Sequence, residues 1–277
     1  MRSPGEDGRG SRVSVLGFRL DLVTLEEAAQ WVMAASAPAT GAAGPPGGTA
    51  LAISFNPELV MTALKDPAAA EALRGADLSY PDGVGAVWAA RRSLRRGGGL
   101  QPPPKLERVA GIDLAQRVLE LAARTGAPVY FLGAGPGVAE EAAARQRASL
   151  SGLRVAGCRD GYFPPAEERA VVDAVRASAA AILLVALGAP KQELLMYRHR
   201  DEWGAAVALG VGGTFDVWAG NAVRAPEWIR KVGAEWLYRL AREPKRLRRQ
   251  LVLPRYVLRV LGAPREISGG RGKGDRA

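Results

Sequence analysis

Five stretches of this 277-residue chain carry residue types that could do chemistry. The first is Tyr80-Pro81-Asp82-Gly83, at the end of a short apolar run. A carboxylate there faces the crevice in which open α/β sheets bind ligands. Asp82 can take a proton from a reacting hydroxyl as general base; it can equally cap the helix that follows. Ser54 and Asn56 end a neighbouring run and point to the same rim. The second stretch is Gly133-Ala134-Gly135-Pro136-Gly137, which lies between a strand and a helix. Such a loop brings backbone N–H groups to a phosphate at the helix N-terminus. Its third glycine stands one place early for G-x-G-x-x-G, so a nicotinamide-dependent oxidoreductase is an alternative with an incomplete fingerprint. The third is Gly188-Ala189-Pro190-Lys191-Gln192-Glu193. Pro and Glu there are ordinary helix-start chemistry, while Lys191 and Gln192, on an exposed helix start, could hold a pyrophosphate or a sugar. The fourth, Gly212-Gly213-Thr214-Phe215-Asp216, allows close backbone approach. The fifth is the set Arg239, Arg242, Arg246 and Arg249, whose offsets of 3, 7 and 10 share one face of a continuous helix, although Pro244 interrupts it. Arginine suits bidentate phosphate recognition; a solvated face is the plain alternative.

What is missing narrows the chemistry. There is one histidine, His199, and one cysteine, Cys158, so Cys/His zinc sites and an internal disulfide framework are excluded. His199 reads as a surface or core residue and Cys158 as buried and inert. No Asp-x-Asp pair occurs, so the usual divalent-metal clamp on a diphosphate is missing. No cofactor and no metal are expected, and a bound diphosphate would need cationic side chains. No apolar run reaches the ~18 residues of a membrane span, and the polar stretch Met1–Ser11 is not a secretory signal. The net charge of +10 is uneven: residues 224–277 hold 15 Lys and Arg against 5 Asp and Glu, and residues 1–223 hold 23 of each. A basic terminus fits phosphate, nucleic acid or anionic lipid. Nucleic acid is disfavoured, because only Tyr238 and Tyr256 interleave with the arginines.

These residues need a scaffold. Strand-like runs occur at Val13–Leu20, Leu51–Phe55, Asp77–Tyr80, Pro128–Leu132, Leu153–Gly157, Ala181–Leu187 and Ala205–Gly210. Helix starts alternate with them. Thr24 with Glu27 forms a capping box for a helix through Trp31. Asn56-Pro57 and Asp66-Pro67 put Pro at the first helical position, and Asp113 caps a helix to Arg124. A helix after Gly83 runs to about Arg92; others cover Gly137–Ala148 and Pro165–Ala177, and one starts at about Lys191. This alternation predicts an α/β fold: a Rossmann-like, mainly parallel sheet with helices on both faces. Ala37–Thr49 and Ser93–Lys105 read as loops, the second of them mobile. From residue 224 the character changes. Trp228, Val232, Trp236 and Leu240 form an apolar stripe, and a second apolar segment holds Leu251, Tyr256, Val257 and Val260. The expected organisation is a disordered tail to residue 12, a catalytic domain over 13–223, a C-terminal helical appendage over 224–262 and a disordered tail from 263.

Several motifs then match one family in order. They are SFNPELVM (Ser54–Met61), PDGVGAVWAAR (Pro81–Arg91), ERVAGID (Glu107–Asp113), FLGAGPGV (Phe131–Val138) and Gly161-Tyr162-Phe163. GAPKQE (Gly188–Glu193), GVGGTFDVWAG (Gly210–Gly220), RAPEW (Arg224–Trp228) and EWLYRLAREPKRLRR (Glu235–Arg249) complete the series. The chain resembles the WecG/TagA/CpsF family of bacterial glycosyltransferases. The resemblance implies inverting, metal-independent transfer of a sugar from a UDP-sugar donor to an undecaprenyl-diphosphate-linked acceptor. In the best-known branch, N-acetylmannosamine passes from UDP-N-acetylmannosamine to lipid-linked N-acetylglucosamine, making the linkage unit of wall teichoic acid. Other branches use UDP-N-acetylmannosaminuronic acid or serve capsule and exopolysaccharide synthesis. Carried onto this chain, the resemblance makes Asp82 the general base. It places Ser54, Asn56, Arg108, Gly133, Gly135, Gln192, Arg239, Arg246 and Arg249 at the donor. Ser54 stands where the family usually has Thr, and the loop before Glu107 is longer than usual. The resemblance also implies a homo-oligomer and a cytoplasmic enzyme held peripherally on the anionic inner face of the cell membrane.

Overall fold

Leu16 and Gly17 both adopt positive φ, 55° and 81°, and this turns the first expected strand back on itself. Two left-handed residues in succession make the tight turn that joins twisted antiparallel strands. The result is a hairpin of β1 (Arg12–Val15) and β2 (Phe18–Asp21), separate from the main sheet. β1 begins one residue inside the expected tail, where Arg12 meets Asp21 at 3.0 Å. The computed structural model describes residues 11–37, 48–96, 106–231, 235, 237–238 and 251–263. The other expected tail residues, and most of both expected loops, lie outside these.

Six strands form the main sheet: β3 (Ala50–Phe55), β4 (Leu78–Pro81), β5 (Val129–Gly133), β6 (Val155–Arg159), β7 (Ile182–Ala186) and β8 (Val207–Gly210). Their order is β4-β3-β8-β7-β5-β6, and every pairing is parallel. The fold is therefore α/β with the expected Rossmann-like sheet. Side chains alternate between two cores. Ile53, Phe55, Leu183 and Val185 face one; Ala52, Phe131, Leu184 and Leu209 face the other.

Helices cover both faces. Thr24 and Glu27 form the expected capping box at α1 (Leu25–Ser36). Asn56 caps α2 (Pro57–Ala63) and Asp66 caps α3 (Pro67–Arg74). α4 (Val84–Arg96) runs a turn past its expected end, so residues 93–96 are helix rather than loop. Leu94 is buried there, and Arg95 and Arg96 suit the negative end of the helix. α5 (Gly111–Thr125) starts two residues before Asp113 with Ala110 at the cap position, so Asp113 lies in its first turn instead of capping it. α6 (Val138–Ser149), α7 (Glu168–Ala177), α8 (Lys191–Arg198), α9 (Thr214–Trp218) and α10 (Glu227–Lys231) follow.

The last described helix, α11 (Val252–Gly262), packs against α2 and α4. Tyr256 and Val260 enter the core. The Arg96 guanidinium donates to the carbonyls of Val260, Leu261 and Ala263 at 3.4, 2.9 and 2.8 Å. A cation on the final carbonyls is the favourable arrangement for a helix end. Part of the expected appendage thus builds the body of the molecule.

Candidate active site

All six strands of the main sheet end at one cleft of about 1170 Å³. Parallel strands with both faces covered leave their C-terminal ends as the open rim, where ligands bind. Ser54 and Asn56 follow from β3, Tyr80 and Asp82 from β4, and Ala134 and Gly135 from β5. Gly161 to Pro164 come after β6, Leu187 to Ala189 after β7, and Gly210 to Thr214 after β8.

Asp82 is half-buried on the cleft wall. Its backbone N–H donates to Phe55 O at 3.0 Å, which holds it beside the end of β3. α4 begins at Val84, two residues after Asp82. Ser54 and Asn56 interlock. Asn56 Nδ2 donates to Ser54 Oγ at 3.0 Å, while Asn56 Oδ1 accepts the Leu59 N–H at 2.9 Å. Asn56 therefore caps a helix and lines the cleft together.

Arg108 reaches the cleft because the Val109 N–H donates to Pro81 O at 2.8 Å. Its guanidinium pairs with Glu235, also on the wall, at 3.0 Å. Nearby, Arg224 grips both oxygens of Asp113 at 2.6 Å, in the electrostatic field of Glu235 and Asp82. Glu107, the neighbour of Arg108, instead accepts the Leu25 N–H at the start of α1.

The two glycines of the phosphate-type loop separate. Gly135 lines the cleft; Gly133 does not. A Cβ on Gly133 would lie 2.4 Å from Ala186 O, and its φ is 127°. That glycine is required by the close approach of β5 and β7.

Lys191 is exposed as expected, but Gln192, which lines the cleft, is only 3% exposed and Glu193 is 0% exposed, so the helix start is open only at its first residue. A Glu serving only the helix dipole would stand in solvent. Gln192 Nε2 donates to Glu193 Oε1 at 2.8 Å, and Gln192 Oε1 accepts the Gly212 N–H at 3.1 Å. Burial pushes the Glu193 carboxyl up to about 7, against the pull of its hydrogen bond from Gln192. Tyr80 donates to Gly210 O at 3.0 Å. Burial raises its hydroxyl well above the usual phenol range, and Asp82 and Glu193 add to the effect, so it stays a neutral donor. Lys191 Nζ donates to Gly161 O at 3.1 Å and sits over the Phe163 ring, with Tyr162 exposed at the mouth.

Sequence reasoning singled out neither Tyr80, Glu193, Glu235 nor Tyr256 for the site. The signals were an aromatic or an acid inside a motif for Tyr80, Glu193 and Glu235 and an apolar segment for Tyr256, and none of these announces burial at a cleft. Arg239, Arg246 and Arg249, together with Val232, Trp236 and Leu240 of the expected stripe, lie outside the described residues. Trp228 of that stripe is 69% exposed. His199 pairs with Glu168 at 2.7 Å on the outside of α7 and α8. Cys158 is half-buried in β6, with its thiol raised to about 11 by burial. Among the described residues no three His, Cys, Asp or Glu side chains are grouped to hold a metal, and no helix is long and apolar enough to cross a membrane.

The cleft thus presents a carboxylate at a strand end, a polar rim and cationic groups, as transfer from an anionic donor requires. Comparison with known families agrees. The model of the family described as "Glycosyl transferase WecG/TagA/CpsF family" matches residues 13–268. The chain belongs to this family and is a glycosyltransferase of cell-surface polysaccharide synthesis.

Proposed function

We propose that this member of the WecG/TagA/CpsF family moves N-acetylmannosamine from UDP-N-acetylmannosamine to undecaprenyl-diphosphate-linked N-acetylglucosamine, with inversion, as in teichoic-acid linkage-unit synthesis. Asp82 takes the proton of the acceptor hydroxyl. The acceptor oxygen forms a bond to the anomeric carbon as the bond from that carbon to the diphosphate oxygen breaks. UDP leaves with the electron pair of that bond. Arg108, with Arg239, Arg246 and Arg249 from the C-terminal segment, absorbs the charge in place of a divalent ion. Each desolvated guanidinium contributes about 1.5–3 kcal/mol to such a group.

The observation that carries this reading is the position of Asp82. It lies on the same cleft wall as Arg108, Gln192 and the Gly212 turn, at the C-terminal rim of a parallel sheet. Enzyme incubated with a panel of UDP-sugars and a synthetic lipid-diphosphate-N-acetylglucosamine acceptor should release UDP fastest with the N-acetylmannosamine donor. Preference for UDP-N-acetylmannosaminuronic acid or another UDP-hexose would move the enzyme to capsule or exopolysaccharide synthesis. Turnover with none of these donors would overturn the reading.

The acceptor is lipid-linked, so we place the enzyme peripherally on the inner membrane face. Leu251, Val257, Leu258 and Leu261 of the α11 region are exposed, with Arg255 and Arg259 among them. Apolar side chains interleaved with arginines suit an anionic lipid surface.

A further inference from the structure

Glu193 is a buried ionisable group beside the cleft that this mechanism leaves unused. It is 0% exposed, the third residue of α8, and does not line the cleft. Its Oε2 has no hydrogen-bond partner among the described residues. Keeping a carboxyl in such a place costs free energy unless its position does something.

The hydrogen bond that Glu193 Oε1 accepts from Gln192 points to what that is. The Gln192 amide is held at both ends, by the Gly212 N–H on its oxygen and by Glu193 Oε1 on its nitrogen. The Gly212 N–H can only donate, so it takes the amide oxygen and turns Nε2 to Glu193 Oε1. A flipped amide would set N–H against N–H at Gly212. The orientation of Gln192 is therefore fixed, with the second N–H of Nε2 unused among the described residues. The amide packs against Gly210, where a Cβ would come within 2.7 Å of Nε2. Gly210 in turn accepts from Tyr80. One polar seam so links β4, β8, α8 and the Gly212 turn behind the wall that faces the donor.

We propose that Glu193 is a positioning residue for donor binding: through its contact with the Gln192 amide, it holds that amide and the Gly212 turn in the orientation offered to the nucleotide-sugar. This rests on the cleft being the UDP-sugar site. Without the Glu193 acceptor the amide can turn, and its oxygen can face the anionic donor.

The test is a double-mutant cycle. Glu193→Met removes the acceptor at similar volume, and Glu193→Gln restores it without charge. In the otherwise wild-type enzyme, Glu193→Met should raise the donor KM about tenfold, the value of one misplaced hydrogen bond, with a smaller change in kcat. Glu193→Gln should stay within about threefold of wild type, since an amide oxygen still accepts. In a Gln192→Ala background the same Met substitution should leave KM unchanged. Additive effects would show that Glu193 acts only through stability and would overturn the proposal. Should the Met variant not fold, amide NMR of the wild type decides. A Gln192 Nε2 proton protected from exchange with solvent supports the proposal, and side-chain protons that exchange as fast as those of an exposed glutamine overturn it. Wild-type enzyme that neither binds UDP nor turns over any UDP-sugar would instead refute the proposed function.

Discussion

The guanidinium of Arg108 lies 3.0 Å from the carboxylate of Glu235. A cation fixed beside the end of β4 and an anion of the C-terminal segment thus meet on the cleft wall. A donor diphosphate would compete with that carboxylate for the same cation. Arg108→Ala should weaken UDP binding by about 10- to 100-fold, the worth of one charge-assisted hydrogen bond. Glu235→Gln should leave the affinity unchanged or tighter. Calorimetric titration with UDP measures both, and equal losses would make the pair a purely structural tie.

Asp82 lines the cleft and is the general base of the proposed mechanism. Asp82→Asn keeps the shape of the side chain and removes its basicity. Turnover should fall ~10²–10⁴-fold while the donor affinity stays near wild type. Rapid-quench turnover beside UDP titration separates the two. Undiminished turnover would remove Asp82 from the mechanism.

Gly133 is a packing requirement between strands. Gly133→Ala drives a Cβ to 2.4 Å from Ala186 O at a φ of 127°. The cost should be on the order of 2–4 kcal/mol, seen as a lower denaturation midpoint. Gly135→Ala has only Val138 Cγ2 nearby, at 3.5 Å. It should cost little stability and act on donor affinity.

The Glu193 carboxyl, raised to about 7 when folded against 4.5 for the free group, sets a pH dependence. Glu58 adds to the rise, and Tyr80 faces the same group. Between these two values the folded chain binds more protons than the unfolded chain. The stability contribution is complete below about pH 4.5 and is lost as the pH climbs through 7. At 1.36 kcal/mol per unit its upper bound is about 3 kcal/mol. Glu193→Gln abolishes this dependence, so its stability relative to wild type should improve from pH 5 to pH 8. Parallel denaturation curves across that range would contradict the assignment.

α11 offers a test of lipid contact without truncation. Removing residues after 223 would strip Tyr256 and Val260 from the core, confounding binding with folding. Leu258→Glu and Leu261→Glu together alter only exposed positions. They should lower co-sedimentation with anionic vesicles about tenfold or more, and leave turnover of a short-chain soluble acceptor unchanged. Vesicle binding that survives would place the contact elsewhere.

The fold class was legible in the chain because period and punctuation are local. Thr24 with Glu27, Asn56-Pro57 and Asp66-Pro67 each mark a helix start within four residues. The alternation of strand and helix then leaves little choice but a parallel sheet. The rim residues Ser54, Asn56, Asp82 and Gln192 were legible for the same reason, since each ends a strand or starts a helix. Nothing local distinguishes Gly133, which avoids Ala186, from Gly135, which lines the cleft. The burial of Glu193, the pairing of Asp113 with a residue 111 positions away and the seating of α11 under Arg96 depend on contacts between distant segments. Hydrophobic pattern and capping act over a few residues, so they fix elements. Ion pairing and desolvation act through space, and only the folded chain decides which side chains meet.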